Sequence, residues 1–145
     1  MSLMDWLQKH LAGDEKAVLS KEEDSLSGLS LFESIATHKA WRNRLQSVLD
    51  GTSGENIDVG TVAQDGMCVL GKWLYGPGKS LYSQLPEYEM LLKAHSDFHI
   101  SAGEVLLEQQ NGNRDAAMAI MKGPFNNHSN KIQLDLVKLF TAAKR

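Results

Sequence analysis

The sequence predicts an all-α fold: a four-helix bundle with one short additional helix and an N-terminal extension. Apolar residues recur at three- and four-residue spacing over long stretches, and glycine or proline falls between those stretches. No stretch shows a convincing alternation of apolar and polar residues. A chain of 145 residues, 42% of them hydrophobic, can bury one such core without disulfides.

The N-terminal part of the chain, residues 1–29, is predicted to be an extension of the bundle, which takes residues 30–145. Within the extension, Met4–Leu11 has the pattern of a short amphipathic helix. Residues 13–28 are polar and charge-rich, which predicts a linker or a loosely held helix.

The first helix of the bundle is predicted to begin after Ser30. Ser30 and Glu33 form a capping-box pattern, in which each side chain satisfies a free backbone N–H of the other residue. Leucine and isoleucine then recur at helical spacing until Gly51, where the pattern stops.

Four further helices follow in the prediction. The second runs from residue 58 or 61 to residue 74, and the Gly-Pro-Gly segment 76–78 closes it. The third starts at Pro86, a residue suited to a first helical turn, and ends before residue 111. A short helix over 114–121 and a last apolar helix carrying residues 125–140 complete the bundle.

Four side chains are candidate metal ligands. His95 and His99 are four residues apart on the third helix, so both imidazoles point the same way and can reach one ion. Cys68, on the predicted second helix, and His38, on the first, can add two more donors inside a bundle. Zinc prefers such nitrogen and sulfur ligands, so the set predicts a zinc site.

Each of these residues also has a simpler interpretation. Cys68 is the only cysteine, which excludes an internal disulfide and favours a reducing, cytosolic setting. A lone cysteine is often only a small buried hydrophobic residue. His38 has the features of a core histidine bonded to a backbone carbonyl. His10 and His128 lack comparable neighbours and are expected to be surface or structural residues.

Other residues are expected to support the metal ligands. One thiolate on Zn²⁺ leaves a net positive site, so a carboxylate near the ligands is expected, and Asp65 and Asp97 are the candidates. Gly71 is expected to allow a close approach to the site, and Trp41 and Trp73 to fill the core around it.

These residues resemble the chemoreceptor zinc-binding (CZB) domain family. The family pattern is a histidine on the first helix, then Cys-x-Leu-Gly-x-Trp, then two histidines one helical turn apart. Here the pattern reads as His38 with Trp41 close behind, segment 68–73, and the pair His95 and His99. The resemblance covers about residues 31–140.

The resemblance implies a cytoplasmic regulatory domain that holds one zinc ion and is often a homodimer. Family members are usually fused to bacterial chemotaxis receptors or to diguanylate cyclases, so a signalling protein of that type is the expected partner. No output domain follows Arg145, and the chain is either one domain of a longer protein or a free-standing member. The signal is expected to be zinc occupancy, oxidation of Cys68 by hypochlorous acid, or both.

Alternatives from other classes remain open at this point. The zinc has a purely structural role if the chain is an interaction module. A zinc hydrolase requires a free position on the metal, hence a His38 that does not coordinate. A hemerythrin-like di-iron site needs more than the five histidines present. The net charge of −3 argues against a nucleic-acid partner, and no apolar run is long enough for a membrane span.

Overall fold

The computed structural model describes residues 2–14, 16–54 and 56–145, and it confirms the all-α class. The described residues form eight helices and one two-stranded hairpin. In chain order these elements are α1 (Leu3–Leu11), β1 (Ser25–Leu26), β2 (Leu29–Ser30), α2 (Leu31–Asp50), α3 (Val59–Ala63), α4 (Val69–Tyr75), α5 (Pro77–Tyr82), α6 (Pro86–Gln110), α7 (Arg114–Lys122) and α8 (Pro124–Ala143).

Helix α6 lies at the centre of the bundle. It packs against α8, α3 and α7, and α8 in turn contacts α1 and α2. Pro86 occupies its first turn with Glu87 and Glu89, whose negative charges suit the positive end of the helix dipole. Phe98 of α6 and Phe125 of α8 meet in the fully buried core at a ring separation of 5.0 Å.

Helix α2 begins and ends as predicted. The Ser30 hydroxyl accepts the backbone N–H of Glu33 at 3.1 Å, which satisfies one free donor of the first turn. Gly51 ends the helix with a φ of 75°, a left-handed conformation that glycine adopts without steric cost. Helices α7 and α8 likewise confirm the predicted short helix and the predicted last helix.

The predicted single helix over residues 58–74 is wrong. Helix α3 ends before Gln64, whose φ of −81° and ψ of 121° are extended. A new helix, α4, starts only after Cys68, whose side chain caps it. Segment 76–78 ends α4 as expected, but Pro77 also starts the additional helix α5.

The N-terminal residues lie on the bundle. Trp6 and Leu7 of α1 are buried, and Trp6 Nε1 donates a hydrogen bond to the backbone carbonyl of Ala17 at 3.0 Å. Leu26 and Leu29 of the hairpin are also buried. The helical interpretation of segment 13–28 is therefore wrong over its described residues, Glu15 lying outside them. A domain boundary at residue 29 stays a prediction.

None of the helices in the described ranges is both long enough and apolar enough to cross a bilayer.

Candidate metal centre

The four predicted ligands come together in the structure. His38 lies on α2, Cys68 caps α4, and His95 and His99 lie one turn apart on α6. One side-chain atom from each falls within 4.8 Å of the other three. All three histidines are buried, and Cys68 is half-buried.

The separations within the cluster suit a single small ion. Cys68 Sγ lies 3.2 Å from His95 Nε2 and 3.7 Å from His99 Nε2, and the two Nε2 atoms are 3.1 Å apart. Nitrogen and sulfur ligands at ordinary zinc bond lengths and tetrahedral angles stand about 3.3–3.6 Å apart. The donor atoms of Cys68, His95 and His99 therefore already have nearly the spacing that zinc requires.

His38 presents a free nitrogen to the cluster. Its Nδ1 is 2.6 Å from the backbone carbonyl of Ser34, so that nitrogen carries the proton and donates it. Nε2 is then left with a lone pair, and it is buried with no hydrogen-bond partner among the described residues. The carbonyl bond expected of a core histidine is present, and it leaves His38 correctly oriented for a metal.

The two histidines of α6 are held differently. His99 Nδ1 donates to the backbone carbonyl of Val62 at 2.9 Å, which fixes its tautomer and links α6 to α3. His95 Nδ1 is buried without a partner in the described part of the chain. Its Nε2 faces both Cys68 and His99.

Cys68 lies where the loop after α3 meets α4. Its sulfur accepts the backbone N–H of Gly71 at 3.3 Å, so one atom both caps the helix and faces the histidines. A Cβ added to Gly71 would lie 1.7 Å from the carbonyl oxygen of Asp65. The glycine therefore permits a close approach, as predicted, and the backbone of the preceding loop is what approaches.

Burial sets the protonation of the cluster. Desolvation lowers the pKa of His38 to about 4 and that of His95 to about 2, and it also lowers the pKa of His99. The imidazoles are thus neutral at pH 7, the form that binds metals. Burial raises the pKa of the Cys68 thiol, against the opposing hydrogen bond from Gly71.

The two candidate carboxylates have hydrogen-bond partners outside the cluster, and their role in balancing the charge of a bound ion stays a prediction. Asp97 pairs with Lys93 at 2.6 Å, and Asp65 accepts the hydroxyl of Tyr75 at 2.8 Å. Among the described residues, neither carboxylate accepts a hydrogen bond from a liganding histidine. Backbone carbonyls accept from His38 and His99 instead. The sequence indicated such a bond for His38 but not for His99, because any residue type supplies a carbonyl.

The two tryptophans have different surroundings. Trp41 is half-buried beneath the guanidinium of Arg44, at 4.0 Å, and lines a cleft of about 560 Å³ that Cys68 and His99 also border. Trp73 is buried, and its Nε1 donates to the backbone carbonyl of Ser27 at 3.0 Å. Trp41 therefore borders open space, whereas Trp73 packs within the fold.

The remaining histidines take no part in the cluster. His10 stacks on Trp6 with ring centroids 5.0 Å apart, a packing role consistent with the prediction. His128 on α8 is half-buried and is absent from the metal-ligand grouping found among the described residues.

Comparison with known proteins supports the same assignment. Residues 38–106 match the family model of the chemoreceptor zinc-binding domain, a segment that contains all four ligands. The match confirms the family resemblance over those residues. No curated protein and no solved structure matches the chain.

Proposed function

Because residues 38–106 match the chemoreceptor zinc-binding domain, we propose that this chain is a regulatory domain that holds one Zn²⁺. His38, Cys68, His95 and His99 are its ligands. The observation that carries the proposal is the buried, unpartnered Nε2 of His38, a residue that lies with the other three ligands in one cluster. A buried polar atom without a partner is costly, and a metal ion removes that cost.

The donor set favours zinc over other common ions. It contains three neutral nitrogens and one sulfur, whereas Mg²⁺ and Ca²⁺ prefer oxygen ligands. When bound, zinc supplies a positive charge that keeps the Cys68 sulfur in its thiolate form. The chain by itself does the opposite, because burial raises the pKa of that thiol.

Zinc occupancy is the first of two proposed signals. The ligands come from α2, from the start of α4 and from α6, so an occupied site ties three separate elements together. The binding free energy of structural zinc, on the order of 10 kcal/mol, is large enough to bias how these elements pack.

Oxidation of Cys68 is the second proposed signal. The thiolate reacts with hypochlorous acid to give a sulfenic acid and chloride, so sulfur loses two electrons and chlorine gains them. The open cleft beside Cys68 and His99 gives small oxidants access. The oxidised sulfur is a poorer ligand, so the site is weakened at one of its four positions.

The cellular setting is proposed from the family. The domain is expected to be cytoplasmic, to form a homodimer, and to act on a chemoreceptor or a diguanylate cyclase. The absence of a bilayer-spanning helix among the described residues is compatible with this setting.

A structural zinc in an interaction module is the main alternative. It predicts that the chain unfolds when zinc is removed, whereas a sensor stays folded. The extensive core outside the site, including Phe125, Leu136 and Phe140, favours a folded metal-free form. A zinc hydrolase is disfavoured because four protein ligands leave no position for water.

The experiment compares zinc-loaded and chelator-treated protein by circular dichroism and thermal unfolding, and then measures zinc release on titration with hypochlorous acid. The proposal expects a cooperative, helical metal-free form and zinc release that follows sulfenic acid formation at Cys68. Cys68→Ser lacks both the oxidisable sulfur and one ligand, so it should form no sulfenic acid and should hold zinc more weakly before any oxidant is added. If the metal-free chain unfolds without a cooperative transition, the zinc is structural. If the protein keeps its zinc when hypochlorous acid is added, the proposed redox signal is refuted.

A further inference from the structure

Helix α4, which presents Cys68 at its start, is anchored at its other end. Trp73 Nε1 donates to the backbone carbonyl of Ser27 in the turn of the N-terminal hairpin, at 3.0 Å. The Trp73 ring also stacks on Tyr82 at a centroid separation of 5.9 Å, and the Tyr82 hydroxyl is hydrogen-bonded to the Ser27 side chain at 2.7 Å. The hairpin turn is therefore fastened to α4 and α5 at two points.

The same hairpin is fastened to the helix that carries His38. Its last residue, Ser30, caps α2, and the Asp24 carboxylate accepts both the Ser30 hydroxyl at 2.6 Å and the backbone N–H of Phe32 at 2.6 Å. The turn itself has a fixed shape, because Ser27 and Gly28 both have positive φ values, 48° and 88°. The hairpin thus links α2 to α4 without a metal ion.

We infer that this hairpin, through the Ser27–Trp73 hydrogen bond, is a strap that positions the Cys68 sulfur against the histidines. Trp73 is a positioning residue rather than a ligand. The inference rests on the proposed zinc site and adds a determinant of zinc affinity that lies outside the four ligands. A site whose donors are already in place loses less conformational freedom when the ion binds, so the strap increases affinity.

The variant Trp73→Phe tests the strap, because it keeps an aromatic ring and removes the N–H. Trp6→Phe is a matched control, since Trp6 is also buried, its indole donates to the Ala17 carbonyl at the same 3.0 Å, and neither residue belongs to the metal-ligand grouping. One hydrogen bond contributes a factor of about three to ten. We expect Trp73→Phe to weaken zinc binding by about that factor and Trp6→Phe to leave it unchanged.

A second readout needs no zinc. In metal-free protein, the alkylation rate of Cys68 by N-ethylmaleimide reports how firmly its sulfur is held in the cluster. We expect Trp73→Phe to react faster than wild type and Trp6→Phe to react at the wild-type rate, although both variants lower the unfolding temperature. A purely structural role for Trp73 predicts equal losses of stability with no difference in alkylation or affinity, and that result would overturn the inference.

If Trp73→Phe does not fold, Tyr82→Phe replaces it, because it removes only the second attachment of Ser27. A smaller effect in the same direction supports the strap, and wild-type affinity and alkylation count against it. The two proposals fail differently. A wild-type chain that binds no zinc refutes the proposed function, whereas zinc binding that is identical in wild type and the strap variants refutes only the strap.

Discussion

Replacing Gly71 by alanine should damage the metal site and the fold together. The new Cβ would lie 1.7 Å from the Asp65 carbonyl oxygen and 3.0 Å from the Cα of Gly66, so the backbone on one side of Cys68 must move. Overpacking of this kind costs about 1–3 kcal/mol, and disturbing the cap that Cys68 makes on α4 costs about 1 kcal/mol more. We expect the free energy of unfolding of metal-free protein to fall by about 2–4 kcal/mol.

Urea denaturation, monitored by circular dichroism, measures this decrease in the free energy of unfolding, which corresponds to a urea midpoint about 1–2 M lower. Zinc affinity should fall in the same variant, because the displaced backbone carries the Cys68 sulfur. Gly60→Ala is the control: Gly60 is also helical, and its new Cβ would meet only Asp58 Oδ2, at an ordinary 3.4 Å. Wild-type stability and zinc affinity in Gly71→Ala would refute the steric reasoning.

Three further predictions concern the ligands themselves. His38→Ala should lower zinc affinity at least about 100-fold in a chelator competition, because removing a ligand costs more affinity than removing a group that hydrogen-bonds to a ligand. Unchanged affinity would show that His38 is only a core residue. Metal-free protein should lose stability as the pH falls from about 6.5 toward 4, because burial lowers the pKa of His38 to about 4 and that of His95 to about 2, so the unfolded chain takes up protons first. The free energy of unfolding should fall by about 1.4 kcal/mol per pH unit for each histidine. Urea unfolding at several pH values measures this dependence, and a free energy that does not change with pH would contradict the prediction. Cys68 in metal-free protein should react with Ellman's reagent more slowly at pH 7.5 than in urea-unfolded protein, because burial raises its pKa; equal rates would contradict this.

Two of the four ligands, His95 and His99, could be predicted from local chemistry, whereas His38 and Cys68 were assigned to the same site with the help of the family pattern. His95 and His99 share one helical face by their spacing alone, and neutral imidazoles with one thiol already indicate zinc. Ser30 and Gly51 similarly marked the ends of α2 through capping chemistry that does not depend on tertiary contacts.

Other features depended on contacts between distant residues. The hairpin strands have only two residues each, too short for a visible alternation, although Ser27-Gly28 between two leucines is a turn signal that would have located it. The break before α4 was hidden because cysteine is not a usual helix cap. The Trp73–Ser27 bond joins residues 46 positions apart, and no local pattern predicts it.

The most direct test of the account is the metal content of purified protein, with His95→Ala beside the wild type. His95 Nε2 faces both the Cys68 sulfur and His99 Nε2, so its loss removes a donor from the middle of the cluster. The account predicts about one zinc per wild-type chain and its loss in the variant. Wild-type protein without zinc after loading under reducing conditions, or a variant that retains zinc at full affinity, would contradict it.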